Sequence, residues 1–260
     1  MKRSTKSLIA ATAATLLPLM TMPIAMSQPL ITQLMPPSVV FPPQAPKPAA
    51  IPAPAHVPMP AADERTVEAR ILLQLGTGAE QDGKLLDAIG IYNQVLAVSQ
   101  RMGRPNIDAA IAAGRLGALY ADLRQMPKAI KSAHIALAEF EKVEGPINND
   151  VAIELNNLAW MYEQVGQMKQ AEASYKQGLS VLRASKDEDD DLIGITENNY
   201  ADLLMSQHRV KEAYPHYQKA FANLSDFFGS DHPLAKMAGH KLEKAKRQMT
   251  RTAATKHHKV

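Results

Sequence analysis

Apolar and small residues recur along this chain at helical spacing and at a fixed long interval. Leu116-Gly117-Ala118-Leu119-Tyr120 returns as Leu158-Ala159-Trp160-Met161-Tyr162 and, degraded, as Tyr200-Ala201-Asp202-Leu203-Leu204, with 42 residues between the small members each time. Twelve residues after each small member comes an alanine, Ala129, Ala171 or Ala213, and Gly76 with Ala88 supplies a copy 41 residues upstream. A period in the low forties carried by such residues predicts stacked helical hairpins, not one globular core. In the third copy Ile153, Leu155, Leu158, Ala159 and Tyr162 share one helical face, Gly166-Gln167 interrupts, and Ala171, Tyr175, Leu179 and Leu182 mark the inner face of a second helix. The small residue lets two helices approach closely, and Tyr92, Tyr175 or Tyr217, four residues after the alanine, fills the wider gap beside it. Ala133 occupies that place in the second copy, which predicts a thinner contact there.

The string L-x-x-L-A-x-x-Y from Leu155 to Tyr162, followed by A-E-x-x-Y from Ala171 to Tyr175, resembles the tetratricopeptide repeat. The longer period, Leu155-Asn156-Asn157-Leu158-Ala159, and Gly229-Ser230-Asp231-His232-Pro233-Leu234-Ala235 between repeats are similar to the 42-residue variety found in kinesin light chains. The resemblance spans roughly Asp63 to Arg247. It implies an all-α fold, a right-handed superhelical solenoid of antiparallel helix hairpins, with about four repeats and a C-terminal capping helix. Expected bounds are 68–107, 108–149, 150–191 and 192–233 for the repeats and 234–250 for the cap, within a repeat domain of 63–250. Two departures fall in the end copies: Glu197 stands where the third copy has apolar Leu155, and Ala79 stands where the second and third have an aromatic.

The first 62 residues have a different composition. Lys2, Arg3 and Lys6 precede an uncharged run from Leu8 to Met26, and Ala25-Met26-Ser27 places small residues where a signal peptidase reads. Residues 1–27 therefore read as a secretory signal, which predicts export to a bacterial periplasm or beyond. An uncleaved inner-membrane anchor is the competing reading, opposed by Pro18, Pro23 and the threonines within the run. Eleven of the eighteen prolines lie between Pro29 and Pro60, with Lys47 the single charge, so residues 28–62 read as an extended linker without packed structure. The chain has no cysteine, which excludes disulfides, thiol catalysis and lipid attachment through cysteine.

Charge alters the picture once the signal is removed. The whole chain has 29 basic and 26 acidic residues, so without Lys2, Arg3 and Lys6 the balance is 26 to 26. From Lys236 onward eight basic residues face one acidic, Glu243, leaving an acidic body ahead of a basic end. The end reads as a solvated cap followed by a basic disordered tail, 251–260, that could touch an anionic membrane. Basic residues are not interleaved with exposed aromatics, which argues against a nucleic-acid partner.

Candidate chemistry is sparse. Asp187-Glu188-Asp189-Asp190-Asp191 lacks the alternating ligands and central glycine of a calcium loop, His257-His258 has no fixed partner, and Gly76-Thr77-Gly78 is not a phosphate loop. No catalytic, cofactor or metal site is expected, and binding of a protein or peptide is. By the resemblance, the first helix of each hairpin lines the concave face, with inward positions three before, one after and four after the small residue. These are Asn156, Trp160 and Glu163 in the third copy, Asn198, Asp202 and Met205 in the fourth, and Gly114, Ala118 and Ala121 in the second. The asparagines can pair with a peptide backbone, Trp160 can stack on a side chain, and the small residues leave a shallow pocket. A structural reading also fits: the asparagines bond across adjacent repeats and Trp160 packs on its neighbour's helix.

Overall fold

The computed structural model describes residues 64–185 and 190–257; the expected signal, linker and most of the acidic run lie outside these residues. Among the described residues the elements are α1 (Glu64–Gln81), α2 (Leu85–Met102), α3 (Ile107–Asp122), α4 (Met126–Glu144), α5 (Asn149–Gln164), α6 (Met168–Ala184), α7 (Asp190–Ser206), α8 (Val210–Phe228) and α9 (Pro233–His257). They form four antiparallel hairpins and a final helix, the all-α solenoid that the period predicts. No described helix is long and apolar enough to cross a membrane.

Each hairpin closes where the sequence places its small residues. Ala88, Ala129, Ala171 and Ala213 are wholly buried, as are Ala159 and Ala201 opposite them. At Gly76 an added Cβ would lie 2.6 Å from the Tyr92 ring, so this position admits only glycine beside that tyrosine. The second hairpin corrects an expectation. Its contact is not thin: a Cβ on Gly117 would meet backbone atoms of Ala129 and Ala133 at 3.5 Å and the Met161 Cε at 3.6 Å. With alanine in place of tyrosine, the α4 backbone lies within a methyl group's reach of Gly117, and the next repeat's methionine packs beside it.

The turn within each hairpin needs one residue in the left-handed region, and the 42-residue register supplies it at Gly83, Arg124, Gly166 and His208. Two are not glycine, which adds strain at Arg124 and His208 that the flanking helices must hold. Asn106 and Asn148 cap α3 and α5 by accepting the amides of Asp108 and Val151 at 2.9 and 2.8 Å.

Glu197 does not disrupt the fourth repeat. Its carboxylate is wholly buried but is met by Arg183 at 2.6 Å and by His216, so the charge that replaces Leu155 is paired. A second inter-repeat clasp joins Glu172 of α6 to Arg209 at 2.5 Å, with Lys176 and the Tyr200 hydroxyl on the same carboxylate, and Arg209 above all holds its carboxyl down at about 2. The C-terminal bounds also differ from expectation. The cap continues to His257, so most of the 251–260 segment is helix and not a disordered tail; Thr252-Ala253-Ala254 contains no glycine or proline to stop it. Likewise α1 begins at Glu64, four residues ahead of the expected repeat boundary, because no stop signal separates Glu64 from the apolar pattern.

Candidate functional site

First helices of successive repeats touch one another, α1 with α3 and α5 with α7, and no pair of second helices packs to a comparable extent among the described residues. The stack therefore curves with its first helices inside, and their free faces form the inner surface. Ala118, Ala121 and Asp122 of α3 and Asn157, Trp160 and Met161 of α5 line one cleft on it. The small residues of the second repeat leave the space, and Trp160, half-buried, forms its opposite wall.

The predicted inward positions are brought onto this surface with unequal exposure. Glu163, Asp202 and Met205 are partly exposed, as is Trp160, but Asn156 and Asn198 are not the accessible amides expected: they are 1% and 2% exposed. The cause is the neighbouring repeat. Asn199 reaches back from α7 and donates to the Asn156 Oδ1 at 3.4 Å, covering it, while the Asn198 amide donates to Asp202 at 3.3 Å. The structural reading thus accounts for Asn156, through Asn199, and Trp160 packs in part against the core cluster that includes Ala121 of α3 while keeping part of its surface exposed.

One register position explains the reach between repeats. At one position of the 42-residue register stand Arg115, Asn157, Asn199 and Lys241, and the side chains of Arg115, Asn199 and Lys241 contact the repeat before them. Arg115 meets the Glu80 carboxylate of α1 at 3.5 Å, and Lys241 of α9 meets Asp202 of α7 at 2.6 Å. Tyrosines of the second helices complete these ends, with the Tyr92 hydroxyl donating to Glu80 at 2.7 Å and that of Tyr217 to Asp202 at 2.6 Å. In the middle of the array the same position is asparagine, which brings no charge.

The inner surface is consequently acidic. Glu80, Asp122, Glu163 and Asp202 follow one another along it, and among the described residues only the first and last have a cation in contact. Asp122 sits open at the lip of the cleft, yet lost hydration and then Glu80 push its carboxyl above the ordinary carboxylate range against the pull of Arg124. Burial and then Asp202 raise that of Glu163. Below the cleft, Glu154 of α5 is 1% exposed and lies against Gly114, where an added Cβ would come within 2.7 Å of its Oε1. Asn157 hydrogen-bonds to this carboxyl but Oε1 has no partner, and burial pushes its pKa up to about 8.

Glu80 occupies the position four after Gly76, so the inward register reaches it although it was not among the expected residues. Asp122 lies one residue off that register and Glu154 lies near the core stripe; neither carries a register signal. Among the described residues no group of three histidine, cysteine, aspartate or glutamate side chains converges to hold a metal.

Residues 108–184, the second and third hairpins, match the tetratricopeptide repeat family model. The kinesin light chain TPR-like repeats of Podosopora anserina have a similar fold, at 19% identity and a TM-score of 0.60 over 75% of this chain and 93% of that one. BtubC (BKLC) from P. vanneervenii is similar at 19% identity and a TM-score of 0.53, over 72% and 82%. At such identities the likeness is one of fold. No curated protein matches the chain significantly.

Proposed function

We propose that this chain, a tetratricopeptide repeat protein of the kinesin-light-chain-like kind, is an exported scaffold of the bacterial envelope that binds a peptide or protein segment along its inner face. The observation that carries this is the cleft between α3 and α5, with the only tryptophan of the chain partly exposed on its wall. Folding does not require an aromatic there, since Ala118 and Asp202 hold the equivalent places in the neighbouring repeats. Tetratricopeptide folds are typically non-catalytic scaffolds, and the acidic inner surface would repel a phosphate backbone.

Trp160→Ala should weaken binding of the partner by more than about 1 kcal/mol, as removing an aromatic anchor does, while changing stability by much less. Titration calorimetry beside thermal melts reads both. A large loss of stability with binding intact would make Trp160 a packing residue and move the interaction surface elsewhere. For export, the mature chain should begin at Gln28, after Ala25-Met26-Ser27. Mass spectrometry of the envelope fraction reads this terminus, and a membrane-held product that keeps Met1 would support the anchored alternative.

A second reading, a structural protein that self-associates, is favoured by α1. Val67, Ile71 and Leu75 recur at every fourth residue there and are 47%, 51% and 57% exposed, an apolar stripe on the first helix of the stack. Sedimentation separates the two: a groove binder stays monomeric, and an assembler gains mass with concentration.

A further inference from the structure

The carboxylates of the inner surface are matched to cations at its two ends and unmatched in the middle, around Trp160. At the C-terminal end Lys241 seats its ammonium on Asp202 at 2.6 Å, beside the Tyr217 hydroxyl, so an ammonium held by carboxylate and aromatic residue is already part of this surface. At the N-terminal end the Arg115 guanidinium lies 3.5 Å from Glu80, which also accepts from Tyr92. In the third and fourth repeats the corresponding residues are Asn157 and Asn199, both neutral. Asp122 and Glu163 are left without an ion pair among the described residues. Asp122 shares the cleft with Trp160, and Glu163, one helical turn after Trp160 on α5, stands outside the cleft lining on the side of Asp202. Under the cleft, the Glu154 Oε1 is buried without a partner, and its carboxyl is tied to Asn157, which lines the cleft.

We infer that the cleft receives the charged head of a lysine or arginine from a basic segment of the partner, with Asp122 as its counter-ion, Glu163 as the next unpaired carboxylate along the inner surface, and the Trp160 ring as the surface on which its stem lies. This rests on the groove reading above and adds the chemistry of the occupant. A cation there would offset the repulsion of Asp122 by Glu80 and of Glu163 by Asp202, the same repulsion that Arg115 and Lys241 offset at the ends. The aromatic contributes twice, through area against the aliphatic stem and through the attraction of its face for a cation within about 6 Å.

The probes are hexalysine, hexaarginine, hexaglutamate and a neutral glycine-serine hexapeptide, titrated into the mature chain with Trp160 fluorescence and calorimetry as readouts. Hexalysine and hexaarginine should bind and shift the Trp160 emission, and their affinity should fall as salt rises. Asp122→Asn with Glu163→Gln should reduce that affinity about tenfold. Asp226→Asn with Asp231→Asn, which removes the same charge from an exposed site remote in sequence, should change it by less than twofold. Thermal melts of both variants report whether the fold is kept, and the single substitutions Asp122→Asn and Glu163→Gln replace the double variant if it melts early. The inference is overturned if hexaglutamate binds as well as hexalysine, or if the two double variants lose affinity equally. The groove reading fails separately. If the partner itself binds with unchanged affinity to Trp160→Ala, the cleft is not the interface; if it loses affinity there but not in Asp122→Asn/Glu163→Gln, the cleft stands and the cation does not.

Discussion

The melting temperature should fall as pH is raised from 5 to 8.5, and Glu154→Gln should remove most of that fall. Glu154 is wholly buried against Gly114, and burial lifts its carboxyl from the ordinary value of 4.5 to about 8. In the unfolded chain the group ionises near 4.5, whereas in the folded chain it stays protonated until about 8. The folded state therefore holds the extra proton in that window. Stability is full below the unfolded value, declines as pH rises between the two, and is lowest above the folded one. Integrated across the window the loss is on the order of 4 kcal/mol, or roughly 10 °C for a domain of this size. Asp122 and Glu163 are shifted in the same direction, so part of the slope should survive in the variant. Glu172 is shifted the other way by Arg209, and its contribution is lost only as pH falls from about 4.5 toward 2, outside the range measured. Glutamine keeps the shape and a hydrogen bond to Asn157 without the proton. The variant should match the parent near pH 5 and exceed it at pH 8.5, by calorimetric melts in matched buffers. Equal melting temperatures at both pH values in the parent would show that the carboxylate is hydrated after all.

What could be read from the sequence was whatever repeats. The small residues Gly76, Gly117, Ala159 and Ala201 and the alanines opposite them fixed the hairpins, because close approach of two helices needs small side chains at the contact. The same register placed Ala118, Ala121 and Trp160 on one surface, where the structure joins them in a cleft. The fate of Asn156 was not legible: its exposure depends on Asn199 in the next repeat, 43 positions away, and a one-helix projection carries no neighbour. Glu154 was hidden for a related reason. A glutamate beside an apolar stripe usually turns to solvent, and here Gly114 on the preceding repeat makes room for it inside. Arg115 and Lys241 became legible as groove residues only once their partners Glu80 and Asp202 were seen.

Tyr175→Ala should be the most costly single change in the third repeat, with a loss of about 3–5 kcal/mol on chemical denaturation, the range for truncating a buried aromatic. Tyr175 is 1% exposed and packs with Ala159, Ala171, Tyr200 and Ala201, so the cavity would open between α5, α6 and α7. The second repeat shows how the molecule closes such a space. There Ala133 replaces the tyrosine, and a Cβ added at Gly117 would sit at ordinary contact distance from the α4 backbone, so α3 and α4 lie close without an aromatic between them. Adding Ala159→Gly to Tyr175→Ala recreates that pair in the third repeat and should allow α5 to settle onto α6. Glycine within a helix costs about 1 kcal/mol, so recovery will be partial. A double-mutant cycle should nevertheless give a favourable coupling of at least about 1 kcal/mol. Strict additivity would mean that the second and fourth repeats hold α5 at its spacing, so that a hairpin cannot relax alone. The outcome bears on binding as well. Trp160 follows Ala159 directly, and any shift of α5 toward α6 draws it away from Ala118 and Asp122 across the cleft. Tyr175→Ala should therefore weaken partner binding without touching the partner, and Ala159→Gly should not restore it even where it restores stability.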